Sequence, residues 1–260
     1  MQLPHIIYSK SDGIASIQLD RPDTLNAFTY EMAESLFKAF HDARSDPGVK
    51  VIMLSGKGDA FCSGGNIKDM AEGKLASWDM KRFLWDHVQR LTLLMQDIDK
   101  PILAAIDGPA HGGGFDLALT CDLRIASERA TFCATYVKIG LAPGNGSAYF
   151  LTRCVGTTRA LDILLTGRVV DMKEALDLGL VQAVVPPDHL LEDAFAYAEK
   201  MTRWPLESLR AVKRAVSHGL HSDLRSHLDY MSSQLALLTQ TPEHRKAVEE
   251  FVNKNKPKKP

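Results

Sequence analysis

The sequence predicts an α/β fold, and three observations carry that reading. Short apolar segments of strand type recur in the first part of the chain. Glycine-rich turns follow two of them, and helical spacing dominates from about Thr158 onward. Residues 6–8 and 14–19 read as strands joined by the Ser11-Asp12-Gly13 turn, a common hairpin signal. Residues 30–43 carry Met32, Leu36, Phe37 and Phe40 at helical spacing, with Thr29 placed to cap them. Asp46-Pro47-Gly48 ends that helix. Residues 49–54 form a mostly apolar strand, followed by a glycine-rich stretch from Gly56 to Gly65. Residues 78–98 are expected as one long helix with a charged and an apolar face. Residues 102–106 are a further apolar strand, running into a turn from Gly108 to Gly114 and a short apolar helix to about Cys121. Residues 181–185 read as a strand within the helical remainder, and Pro186-Pro187 precedes four candidate helices. The chain is thus expected to divide into a core over 1–186 and a helical region over 187–260.

Composition narrows the function classes. With 45% apolar and 24% charged residues the chain reads as an ordinary globular protein, neither disordered nor membrane-embedded. A net charge of −1 supplies no basic field for nucleic acid, and no apolar run reaches the roughly 18 residues that span a bilayer. Residues 1–10 carry no pattern of a secretory signal. Cys62, Cys121, Cys133 and Cys154 form no CxxC pair, which points to reduced thiols in the cytoplasm. No metal site is expected, because no Cys/His group has ligand spacing.

Two glycine-rich turns, each after a strand, are the places for chemistry. The first is Phe61-Cys62-Ser63-Gly64-Gly65-Asn66, the second His111-Gly112-Gly113-Gly114-Phe115-Asp116. Glycine allows positive φ and lets a ligand approach backbone N–H groups with no Cβ in the way. A helix beginning near Gly112 would point its first N–H groups outward, and its dipole would add positive character there. That suits an oxygen that becomes negative during reaction; a second N–H from the other turn would complete an oxyanion hole. Asp116, three residues after Gly113, shares its helix face and is placed either as a base for the carbon beside an activated carbonyl or as a first-turn acid complementing the dipole.

The motifs together resemble the crotonase superfamily, the enoyl-CoA hydratase/isomerase family, along nearly the whole chain. Leu19-Asp20-Arg21-Pro22 with Leu25-Asn26-Ala27 looks like the family's N-terminal signature. Ala60 to Ile67 resembles its first oxyanion loop, although that loop more often ends in Ala-Asp than in Gly-Asn. Ile106 to Leu119, with Cys121-Asp122-Leu123-Arg124, is close to its central block; Thr131-Phe132, Gly140-Leu141-Ala142-Pro143-Gly144 and Gly167-Arg168 follow in family order. The resemblance implies a spiral of ββα repeats, then a helical trimerisation region that builds a homotrimer or homohexamer. It implies an acyl-CoA thioester as partner, with coenzyme A part of the substrate and no separate cofactor. By position, Gly65 and Gly113 would supply the oxyanion N–H groups. Ser63, Asn66, Lys68, Phe251 and Lys254 would bind coenzyme A, the last two from a neighbouring subunit.

One departure bears on the reaction. Hydratases of the family use two glutamates, at the positions of Asp116 and Tyr136. Two carboxylates of separate pKa handle water and the α-proton well, whereas a tyrosine is a poor base near neutrality. Tyr136 either lines the pocket or donates a hydrogen bond or proton. A single carboxylate fits a proton shuttle, which is double-bond isomerisation, better than ordinary hydration. Dienoyl-CoA isomerases share an aspartate at the Asp116 position, yet carry acids where this chain has Tyr136 and Gly144. Asn145 and Ser147 are candidate pocket residues, Asp69 and Glu72 alternative acids, and His111 a structural hydrogen-bonder or a catalyst. The competing functions are a thioester or β-diketone hydrolase of the same fold and a catalytically impaired acyl-CoA-binding homologue.

Overall fold

The computed structural model describes residues 2–65 and 77–254, with backbone alone for Ser77, Trp78 and Lys254. Its strands form two sheets. The larger has six strands in the order β1 (Ile6–Ser11), β2 (Ile14–Leu19), β3 (Val51–Gly56), β4 (Ile102–Ile106), β6 (Leu123–Ser127) and β9 (Ala183–Val185). Only the β1–β2 hairpin is antiparallel; every later pairing in this sheet is parallel. The smaller sheet joins β5 (Pro109–His111), β7 (Thr131–Cys133) and β8 (Val169–Val170). Isolated bridges Phe28–Gly65 and Cys62–Ala110 extend the same layer toward the N-terminus. Each coil of the chain therefore lays one strand in the long sheet and one in the short layer. β4 with β5 and β6 with β7 are successive coils. This is the expected spiral.

Sequence explains the central strands directly. Five residues of β3 (Val51 to Ser55) and all of β4 are buried, as both faces of a covered parallel sheet require. Helix α1 (Tyr30–Ser45) covers one face, burying Met32, Leu36, Ala39, Phe40 and Ala43. Thr29 caps it as expected, its Oγ1 accepting from the Met32 N–H at 3.2 Å. At the other end the buried Lys100 ammonium donates to the Ala43 carbonyl (2.8 Å), one of the helix's orphan acceptors, and to the Asp46 carbonyl (2.6 Å). Burial lowers the Lys100 pKa to about 8.

Three differences from the expectation have physical causes. The helix expected over 78–98 is interrupted: α2 (Ser77–Phe83) and α3 (Arg90–Asp97) are joined by a π turn over Leu84–Gln89. The wider turn adds its extra residue over a single short stretch, too short to change the helical pattern read across the whole segment. The strands β5, β7 and β8 are three residues or fewer, too short to show alternation. β6, five residues long, also goes unmarked by the sequence, because four of its five residues are buried and show no alternation. The strand expected over 181–185 is confined to Ala183–Val185.

The remaining helices are α4 (Gly113–Thr120), α5 (Ser147–Val155), α6 (Thr157–Thr166), α7 (Met172–Asp177), α8 (Leu190–Thr202), α9 (Leu206–Gly219), α10 (Leu224–Leu238) and α11 (Pro242–Lys254). α8 belongs to the core, packing Leu190, Ala194 and Ala198 against Val51, Leu103 and Ile125 of the large sheet. The next two helices do not: α9 buries only Ala211, and α10 buries nothing. Val212, Val216, Leu220, Leu224 and Leu228 recur every four residues there, each more than half exposed. No helix among the described residues is long and apolar enough to cross a membrane.

Candidate active site

The spiral brings the two glycine-rich turns side by side. Cys62 N–H donates to Pro109 O at 3.1 Å and His111 N–H to Cys62 O at 3.0 Å, so the turns leave adjacent rungs of one ladder. Gly64 has φ +97, and a Cβ there would stand 2.7 Å from the His111 carbonyl oxygen. Gly114 is tighter still: a Cβ would lie 1.9 Å from the Cys62 carbonyl oxygen. At Gly113 a Cβ would meet only ordinary contacts, 3.7 Å from Gly64 Cα and 3.9 Å from the Gly65 nitrogen. Gly113 opens α4, where N–H groups have no partner one turn back. Among the described residues neither the Gly65 nor the Gly113 N–H donates to a backbone carbonyl.

Asn26 locks this arrangement, a role the motif alone did not reveal. It sits at φ +54 and is fully buried. Its Nδ2 donates to Lys57 O (3.0 Å) and Ala60 O (2.7 Å), and its Oδ1 accepts from Arg21 N–H (2.8 Å). Ser63 is drawn to the same segment, its N–H donating to Leu25 O (2.9 Å) and its hydroxyl to Thr24 O (3.3 Å).

Asp116 lies in the first turn of α4, in which every residue from Gly114 to Thr120 is buried. A helix apolar all round belongs in a core, so a carboxylate within it stands out. Phe115 stacks on Phe132 of β7 with centroids 4.9 Å apart, fixing the rotation of the helix. Arg124 donates to Ala118 O and Cys121 O at its far end, a cation placed where the dipole is negative. The carboxylate itself is 0% exposed. Its Oδ1 accepts the Ser147 N–H at 2.9 Å, at the start of α5; its Oδ2 accepts the Tyr136 hydroxyl. Burial raises the Asp116 pKa, against the Ser147 and Tyr136 hydrogen bonds that favour the charged form. Burial, and then the neighbouring Asp116, raises the Tyr136 pKa strongly, so its phenol stays protonated.

The loop before α5 is held from the π turn. Gln89 Nε2 donates to Gly144 O at 2.6 Å, and Thr92 Oγ1 donates to Asn145 Oδ1 at 2.8 Å. Asn145 is buried, and its backbone also faces Asp116. His111 pairs with Thr131 through Nε2 at 3.0 Å, and burial lowers its pKa. Burial pushes the Cys62 thiol up to about 12, which removes it as a nucleophile.

The structure thus brings together Gly65, Gly113, Asp116 and Tyr136. Phe251 lies 70% exposed on α11, with no hydrogen bond or ring contact to these residues among those described. Lys254 ends that helix. Asn66, Lys68, Asp69 and Glu72 lie outside the described residues. Sequence reasoning did not find Thr92 or Gln89, because hydrogen-bonding residues on a helix face carry no local signal.

Known proteins agree with this architecture. The family model for enoyl-CoA hydratase/isomerase matches residues 9–259. A probable enoyl-CoA hydratase of Rhizobium meliloti is 36% identical over 98% of both chains. A trans-2-decenoyl-[acyl-carrier-protein] isomerase of Streptococcus mutans is 26% identical over 99% of this chain and 98% of its own. The crystal structure of an enoyl-CoA hydratase from Bacillus anthracis superposes with a TM-score of 0.92 at 28% identity, covering 98% of each chain. With its motifs in family order, its two-sheet spiral and its paired glycine turns, the chain belongs to the enoyl-CoA hydratase/isomerase family.

Proposed function

We propose that this protein is an acyl-CoA enzyme that shifts a carbon–carbon double bond, with Asp116 and Tyr136 acting as one proton-transfer unit. The observation that carries the reading is the hydrogen bond from the Tyr136 hydroxyl to a fully buried Asp116 carboxylate. Hydration needs two independent groups, one for water and one for the α-carbon. Here the two candidates share a hydrogen bond and function as a single site.

The steps follow from that pairing. The thioester oxygen of a 3-enoyl-CoA accepts the Gly65 and Gly113 N–H groups, which acidifies the C2 hydrogen. Asp116 is covered, so the proton reaches it through Tyr136: the C2–H bond breaks, the proton passes to the phenol oxygen, and the phenol proton moves to Asp116. The electron pair left behind becomes a dienolate, held as an oxyanion where donors count most. Reversal of the relay at C4 delivers a proton and leaves the 2,3 double bond. The relatives' names span both reactions, an isomerase in Streptococcus mutans and hydratases in Rhizobium meliloti and Clostridium acetobutylicum, so the reading rests on the site geometry. Hydrolysis of a thioester or β-diketone would use the same oxyanion site and is the second outcome of the assay.

The partner is an acyl-CoA thioester, with no further cofactor. The exposed apolar row on α9 and α10 supports assembly into a homotrimer or homohexamer, where Phe251 and Lys254 would reach a neighbour's coenzyme A. Four free cysteines fit a cytoplasmic setting. The test compares crotonyl-CoA and 3-hexenoyl-CoA by absorbance. Wild type is expected to convert 3-hexenoyl-CoA to the conjugated isomer, and Asp116→Asn to lower that rate by about 10²–10⁴-fold. Rapid loss of crotonyl-CoA absorbance, abolished in the variant, would instead establish a hydratase and end the one-unit argument.

A further inference from the structure

Ser147 is fully buried, and its Oγ makes no hydrogen bond of acceptable geometry among the described residues. An unpaired buried hydroxyl costs about 1–3 kcal/mol, so such a group in a well-built site calls for a reason. Slack in the chain is not the reason. The backbone N–H of the same residue is fixed on Asp116 Oδ1 at 2.9 Å. The preceding loop is clamped by Gln89 at Gly144 and by Thr92 at Asn145. The unpaired hydroxyl therefore belongs to the very residue whose backbone N–H holds the carboxylate, on a rigid support.

We propose that Ser147 is a positioning residue for the Asp116–Tyr136 unit, its hydroxyl turning onto the carboxylate when Asp116 is charged and away when Asp116 takes up a proton. The inference deepens the proton-transfer reading of the same site. A hydroxyl has one donor hydrogen and two acceptor lone pairs, so rotation of the Ser147 side chain about Cα–Cβ brings it onto the carboxylate or takes it away. In the charged state Asp116 then has donors from the Ser147 N–H, the Tyr136 hydroxyl, the Asn145 backbone and the Ser147 hydroxyl. In the protonated state the Ser147 hydroxyl withdraws, which eases protonation of a carboxyl whose other partners stay in place. The groups facing Asp116 are Tyr136 from the Thr135–Ile139 turn, and Ser147 with the Asn145 backbone from the segment leading into α5. The Cys62 thiol faces Tyr136.

The test reads Asp116 directly and needs no substrate. The full chain, labelled with ¹³C at aspartate carboxyls, is titrated by NMR, with Asp116→Asn identifying the resonance. Ser147→Ala keeps the backbone N–H and is expected to raise the Asp116 midpoint by about one pH unit. Ser147→Thr, which keeps a hydroxyl, is expected to return it toward wild type. An unmoved midpoint in Ser147→Ala, or one not recovered by Ser147→Thr, overturns the proposal. The result stands apart from the enoyl-CoA assay. A hydratase outcome there with a moved midpoint here would retain the role of Ser147 and discard only the reaction.

Discussion

The two halves of the candidate site are built from different materials. The glycine half is backbone: Gly64, Gly65, Gly113 and Gly114 bring two turns into contact and contribute no titratable group. The acid–base half is side chain: Asp116, Tyr136 and Ser147 meet across α4, the Thr135–Ile139 turn and α5. At Gly64 and Gly114 the first half cannot be edited without moving the chain, because a Cβ at either would overlap the facing turn's backbone, whereas Gly113 has room for one. The second can be edited with the chain in place, since each side chain hangs from an element fixed by other contacts. Chemistry should therefore separate from stability in one half and merge with it in the other.

The sharpest way to break that contrast is at neighbouring glycines. Gly114→Ala would force a methyl to 1.9 Å from the Cys62 carbonyl, backbone against backbone. A loss of about 3 kcal/mol or more is expected. For a chain of this size that is a fall in Tm of roughly 6–12 °C. Gly113→Ala meets only ordinary contacts and should fold, yet its methyl occupies the space beside the Gly65 nitrogen. Calorimetry and acyl-CoA binding on the pair check this: equal Tm losses at both positions would mean the glycine half has no separable function.

In the acid–base half the expected direction reverses. The folded pKa of Asp116 is raised above its unfolded value, so the native state holds the proton more tightly. Its contribution to stability is present at low pH and is lost as the pH rises through the folded value. Asp116→Asn abolishes the titration while keeping an acceptor for the Ser147 N–H. The variant should gain on the order of 1 kcal/mol, about 2–4 °C in Tm, at pH 7 and less at pH 4, while losing turnover. A Tm that falls at pH 7 would make Asp116 a structural residue. Tyr136→Phe has the smallest effect on fold. It removes one donor from the charged carboxylate, so the acid limb of the rate profile should move up, with a rate loss of about 10–10²-fold. A rate unchanged across the pH range would take Tyr136 out of the proton path.

Much of the backbone half was legible in advance. Gly65 and Gly113 were identified by their motifs, and Thr29, Ile14 and Leu19 ended their elements where spacing placed them. Those signals are local: a cap, an alternation, a glycine where φ must be positive. The side-chain half was legible only in part. Asp116 was visible because it shares a helix face with Gly113. Its bond to Tyr136 spans 20 residues and depends on how β7 packs against α4, which no local pattern encodes. The same holds for Lys100, whose burial depends on the sheet carrying it beneath the end of α1. The π turn escaped because it spans only six residues, fewer than the stretch over which a helical period is read.

The burial of Asp116 has an isotopic consequence under the proposed reaction. In the relay the atom taken from C2 rests on the Tyr136 oxygen while the phenol's own hydrogen moves to the covered carboxyl, which has no contact with bulk water through which to trade it. The atom removed from C2 is then the atom returned at C4. Seen this way, the covering hydroxyl of Tyr136 is a custody device: it makes the transfer a closed circuit within one substrate molecule, and keeps the solvent from writing its own isotope into the product.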